Sequence, residues 1–152
     1  MAVKVLELHH HGIRVGSTES DADRALVFYR EVLGLSPDRG RPLIADIPGY
    51  WLNVGPNAQI HLISVEGVSR LADGPGRDPA GPHVALAVAD IQEARRELER
   101  LGVNYWGIKG VTGPEAEQLF MTDPFGNVIE LHQAGTCRCD RRATTAAAGR
   151  MG

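Results

Sequence analysis

The feature that most narrows the possible folds is an internal repeat. Residues 3–65 and 81–133 run through the same order: a short alternating strand with a histidine, an amphipathic helix ending in Leu-Gly, then short strands parted by turn residues. The helix-ending glycines, Gly34 and Gly102, are 68 residues apart (102 − 34 = 68). A unit of this size covers one face of its strands with its own helix and needs its sister for the rest. The two copies are therefore expected to face one centre across a pseudo-twofold axis.

Local patterns fill in the elements. The opening strands are predicted over residues 6–15 and 83–88. Side chains alternate across a strand. His10, Gly12 and Arg14 thus share one face, as do His83, Ala85 and Ala87; the opposite face, with Ile13, Val15, Val84, Leu86 and Val88, belongs under a helix. The first helix is predicted from Ser20 or Asp21 to Leu33. Its apolar stripe is Ala22, Ala25, Leu26, Tyr29, Val32 and Leu33, and Gly34 stops it. The second runs from Asp90, paired with Glu93 as a capping box, to Leu101. Hairpins are predicted from residues 50–54 with 58–64, and from 118–122 with 127–132.

Four side chains at matched places in this repeat, His10, His61, His83 and Glu130, are expected to hold one divalent metal. His10 and His83 lie in the opening strands (83 − 10 = 73), His61 and Glu130 in the closing ones (130 − 61 = 69). Ile60 and Leu62 claim the buried face around His61, and Ile129 and Leu131 do so around Glu130, so both polar residues turn toward the shared centre. A carboxylate held there needs a counter-charge, which one divalent metal supplies. Imidazole and carboxylate donors suit iron, manganese, nickel, cobalt or zinc, whereas calcium and magnesium prefer all-oxygen shells. His9 and His11 read as hydrogen-bonding side chains. By alternation Trp51 and Asn53 face the cavity. With Arg14, suited to a carboxylate or carbonyl, they are the expected substrate contacts. Tyr105, Trp106 and Gln118 are further cavity candidates.

Composition sets the outer bounds. A chain of 152 residues, 43% hydrophobic and 23% charged, suits one compact domain or two small modules sharing a core. A net charge of −3 argues against a nucleic-acid partner. No apolar run reaches the roughly 20 residues of a membrane helix, and the start lacks the pattern of a secretory signal, so a cytoplasmic protein is expected. The two cysteines, Cys137 and Cys139, stand too close for a zinc pair and read as reduced thiols on a loose tail. Curved half-barrels leave edges and apolar faces to cover, which points to a homodimer.

With these motifs in view, the chain resembles the vicinal oxygen chelate superfamily, which includes glyoxalases, bleomycin-resistance proteins and extradiol dioxygenases. The resemblance rests on five stretches: residues 8–15 (LHHHGIRV), 25–35 (ALVFYREVLGL), 59–63 (QIHLI), 82–86 (PHVAL) and 123–131 (DPFGNVIEL). It implies an α+β fold of two βαβββ modules forming an open curved barrel around a metal-binding cavity. The modules would span residues 1–66 and 83–134, with a linker at 67–82 and a disordered tail at 135–152. It also implies that His10, His83 and Glu130 match the family's frequent two-histidine, one-carboxylate set. His61 falls where glyoxalase-I-like lyases carry a glutamate and epimerase-like members often carry a glutamine. Glu130 and His61 are the expected catalytic groups.

Three functions remain open at this level. One is a metal-dependent lyase or isomerase that moves a proton next to a chelated carbonyl of a small oxygenated substrate. Another is an iron(II) extradiol-type dioxygenase. The third is a drug- or metabolite-binding resistance protein, disfavoured because the metal donors are present.

Overall fold

In the computed structural model, residues 2–135 are described. Beyond Gly135, the expected loose tail with Cys137 and Cys139 lies outside these residues. The elements are β1 (Val5–Arg14), α1 (Glu19–Leu33), β2 (Ser36–Pro37), β3 (Gly49–Val54), β4 (Ala58–Ile63), β5 (His83–Val88), α2 (Ile91–Arg100), β6 (Tyr105–Lys109), β7 (Glu117–Thr122) and β8 (Val128–Gln133). All eight strands join one sheet in the order β2-β3-β4-β1-β5-β8-β7-β6.

The repeat is visible in that order. Within each half the first and last strands lie side by side and parallel, β1 with β4 and β5 with β8. The halves meet where β1 and β5 run antiparallel. The sheet stays open, ending at β2 and β6 instead of closing into a barrel. Both halves come from one chain, so the shared centre is intramolecular.

The helices form where their caps dictate. Thr18 caps α1, accepting from the Asp21 amide while the Asp21 carboxylate receives the Thr18 amide, and Gly34 ends it at φ 68°. Asp90 caps α2 through the Gln92 and Glu93 amides. Helix α2 sinks Ile91, Ala94 and Leu98 against Val88, Leu119 and Leu131, forming the largest apolar cluster. Helix α1 is less well seated. Only Ala22 is buried, and Val32 and Leu33 of the expected stripe are exposed. The helix lies on β3, β4 and the two-residue β2, which offers little surface beneath its last turn.

Neither helix covers the outer face of β1. α1 packs on β2, β3 and β4, and α2 on β7, β8 and the Leu86 and Val88 side chains of β5. The outward side chains of β1 and β5 between them include Leu6 and Leu8, each 50% exposed, and Val84. The inner face carries the polar side chains.

Candidate metal centre

Strand register assembles the centre before any side chain is considered. One row across the sheet reads Trp51, His61, Gly12, His83 and Val128. The next reads Asn53, Gln59, His10, Ala85, Glu130 and Phe120. Each row places one small residue at the junction of the halves, Gly12 between His61 and His83 and Ala85 between His10 and Glu130, which leaves the triad side chains room. Gly12 shows how tight this is: a Cβ there would sit 2.2 Å from His83 Cε1.

His10, His83 and Glu130 meet in the interior, all at most 5% exposed. His10 Nε2 lies 3.0 Å from His83 Nε2, and the two nitrogens lie 3.2 and 3.3 Å from Glu130 Oε2. Among the described residues these three donors form a metal-competent group. Donors bonded to one ion at about 2.1 Å and at right angles stand about 3.0 Å apart. The observed triangle is therefore close to one face of an octahedron, the two-histidine, one-carboxylate arrangement that leaves other positions open. A divalent metal fits the donor set.

The protonation states agree with that use. Burial is the strongest influence on His10 and lowers its pKa to about 4 despite Glu130, so its ring is neutral and able to donate a lone pair. Burial, then the charges of His10 and His83, also hold His61 well below the ordinary histidine value. Burial opposes ionisation of Glu130, yet its interactions with the His10 and His83 rings outweigh it and keep the carboxyl well below its usual range. His83 is raised, because Glu130 and the Gly81 carbonyl overcome its burial.

His61, expected as a fourth ligand, lies beside this triad and is not part of its donor group. Its ring stacks on His10 at 3.7 Å between centroids, and Trp51 stacks on its other side at 4.4 Å. Its Nε2 is 3.0 Å from Gln59 Oε1. The orientation of Gln59 follows from its other end, where its NH2 donates to Asp38 Oδ2 and Asn53 Oδ1. Gln59 Oε1 must then accept, so His61 carries its proton on Nε2 and, being neutral, keeps a lone pair on Nδ1.

The expected substrate contacts separate in the same way. Trp51 lines the cavity with the triad and His61. Asn53 instead supports Gln59. Arg14 is drawn out of the site altogether: its guanidinium donates to the carbonyls of Val65, Gly67 and Ala80 and to Asp78, tying the segment between β4 and β5 to β1. Tyr105 bonds Arg95 and Glu99 on α2, and Trp106 stacks on Phe120 beside the cavity. Gln118 enters the cavity wall and donates to Glu130 Oε1, leaving Oε2 for the triad.

Two further histidines are buried at the centre, and of these only His9 escapes a reading by alternation. His132 is buried in the cavity wall, 3.8 Å from Glu130 Oε1. It stands two residues after Glu130, so strand parity already placed it on that face. His9 is also buried, stacked on His132 at 4.2 Å, with its Nδ1 2.7 Å from His10 Nδ1. A β-bulge puts it there: Leu8 opposes Leu86 and His10 opposes Ala85, so His9 is the extra residue and turns inward with its neighbour. Nothing in the local sequence marks the bulge.

The cavity measures about 60 Å³ and is otherwise walled by residues such as Ile47, Ile63 and Phe120. That is room for about four waters, hence for the reactive part of a small molecule.

Comparison with known proteins agrees with this architecture. The family model described as Glyoxalase/Bleomycin resistance protein/Dioxygenase superfamily matches residues 8–131. No curated protein matches the chain. Among solved structures, methylmalonyl-CoA epimerase from Mycobacterium tuberculosis superposes with a TM-score of 0.65 at 24% identity, over 88% of this chain and 91% of that one. The Streptomyces coelicolor methylmalonyl-CoA epimerase in complex with 2-nitronate-propionyl-CoA gives 0.63 at 15% identity, over 87% and 99%. A hypothetical protein from Bacillus halodurans gives 0.60 at 23%, over 84% and 93%.

Proposed function

Since the chain belongs to the glyoxalase/bleomycin resistance protein/dioxygenase superfamily, we propose that it is a divalent-metal-dependent lyase or isomerase, moving a proton on the carbon next to a carbonyl of a small oxygenated substrate. His10, His83 and Glu130 hold the metal. The metal would act as a Lewis acid on substrate oxygens. The observation that carries the reading is His61: a neutral imidazole in the cavity, beside the triad but outside it, with its Nε2 proton pinned by Gln59 and a lone pair left on Nδ1. That lone pair takes the proton. The Gln59 contacts to Asp38 and Asn53 hold the ring in this tautomer, and Trp51 and His10 clamp its faces. Neighbours named as epimerases are consistent with isomerase chemistry.

The three-donor face also supports a second reading. Two histidines and one carboxylate on one face, with positions left open, is the arrangement of non-haem iron(II) oxygenases. The two readings part in one experiment. Protein reloaded with each candidate metal is mixed with small carbonyl acids in deuterated water and followed by NMR, while a parallel sample with iron(II) and catechols is followed by oxygen consumption. Deuterium entering next to the carbonyl, and lost in His61→Phe, supports the lyase or isomerase. Oxygen uptake without exchange replaces it with the dioxygenase.

We infer also that the chain is a cytoplasmic homodimer, paired through the outer face of β1 and β5. Leu6, Leu8 and Val84 lie exposed there between the helices, with Val27 and Phe28 of α1 exposed as well.

A further inference from the structure

Among the described residues Arg41 is the one lysine or arginine in the cavity wall, on the loop between β2 and β3. Its position is unusual for an arginine. Its donors reach two acceptors, the carbonyls of Pro42 and Ile47. A guanidinium has five N–H donors, so three are unspent. One of them is on Nε, which is shut off from solvent and has no partner. No carboxylate pairs with this group. Burial draws its pKa below the ordinary arginine value, and only Tyr50 acts the other way. Arg14, by contrast, has its acceptors supplied by the chain itself.

A half-buried cation with unspent donors in a cavity wall is a vacancy for an anion. The charge balance says the same. Among the described residues Glu130 is the only carboxylate lining the cavity, and it faces a site suited to a divalent metal, so Arg41 leaves the pocket with an excess of positive charge. The guanidinium sits over Trp51 at 5.9 Å, and Trp51, His61 and His10 continue as a stack of rings toward the triad. Arg41 and the metal donors thus mark the two ends of one wall.

Resting on the reading of this cavity as the substrate site, we propose that the substrate is a small organic acid whose carboxylate is gripped by Arg41 through the remaining N–H groups of Nη1 and Nη2, while its reacting end lies at the triad. Arg41 selects the anion over uncharged molecules of the same shape. A two-pronged bond to carboxylate is what a guanidinium does best.

The test compares pyruvate with pyruvamide and lactate with lactamide, pairs that differ only in one carboxylate against an uncharged amide. Binding is measured by calorimetry to metal-loaded and metal-free protein, and to Arg41→Gln and Arg41→Lys. We expect at least one acid to bind the unmodified chain ten-fold or more tighter than its amide. Arg41→Gln should abolish this preference, and Arg41→Lys should keep part of it. The ratio is the readout because loosening of the loop through the lost Pro42 and Ile47 bonds would weaken acid and amide alike. Equal binding of acid and amide, absence of binding by either acid, or a preference surviving Arg41→Gln overturns the proposal. Metal affinity, measured separately, keeps the two readings apart. A chain that binds no metal yet shows the Arg41-dependent preference would retain this inference and lose the proposed function. A chain that binds metal without the preference would do the reverse.

Discussion

Gly12 carries no functional group, yet the centre depends on it. Its missing side chain is the space that His83 occupies, and a Cβ would reach within 2.2 Å of the ring. Gly12→Ala should push His83 out of the triad and lower metal affinity by about 10- to 100-fold, at a stability cost of about 1–3 kcal/mol. Gln118→Leu tests orientation separately from ligation, because Gln118 touches only the second oxygen of Glu130. A fall of about 10-fold or more is expected there too, and unchanged metal affinity would show that Glu130 needs no such support. Acid should weaken the metal-free chain. His10 takes a proton at about pH 4 when folded and near 6.5 when unfolded, and His61 is shifted in the same direction. Below pH 6.5 the unfolded chain therefore binds more protons, and stability falls as pH drops toward 4. The raised pKa of His83 works against this, one group against two. Thermal melts at pH 7.5 and pH 5 should show a lower Tm at pH 5, and an unchanged or higher Tm would contradict the neutral state of His10 and His61.

At the scale of elements, the segment between β4 and β5 owes its place to Arg14 and Asp78. Asp78 is held by Ser69 and the Ala80 amide as well as by Arg14. Arg14→Met removes up to four contacts to oxygen while keeping much of the aliphatic stem. It should lower stability by about 1–3 kcal/mol and leave metal affinity unchanged. A rise in KM with no change in Tm would instead return Arg14 to the role of substrate contact that its sequence position suggested. Leu98 offers a contrast in kind: it is 2% exposed in the cluster under α2, and Leu98→Ala should cost about 2–5 kcal/mol through the cavity it leaves.

For the whole molecule, the open question of shape is the uncovered strip between the helices. Leu8 stands opposite Leu86 at the junction of the halves, but Leu86 packs toward α2 and Leu8 does not. A second copy placed there would cover the exposed side chains of both. Light scattering should give a dimer at micromolar concentration. Leu8→Asp should yield a monomer that still binds metal, since Leu8 points away from the centre. A monomer before any substitution would end the dimer reading and leave the centre untouched, because both halves of the centre belong to one chain.

Both helices, most of the strands and the expectation that two halves face one centre were legible in the residues, whereas β2, β6 and the meeting of both halves within one chain were not. Helix caps, alternation and the repeated Leu-Gly stops are local signals, written within a few residues of where they act. The same locality made His10, His83 and Glu130 legible, since each sits at a matched place in a strand whose faces its neighbours define. Tertiary structure alone decided what each side chain does once there. Whether His61 would join the triad or stack against it depended on Trp51, its partner across on β3, and on Asp38 and Asn53, which turn Gln59 toward it. Whether Arg14 would reach a substrate depended on carbonyls about 50 or more residues away in sequence. The bulge that turns His9 inward exists only in the pairing of β1 with β5. Alternation tells which face a residue takes, but hydrogen bonds and ring contacts form between strands, and their partners are fixed by register that no single strand encodes.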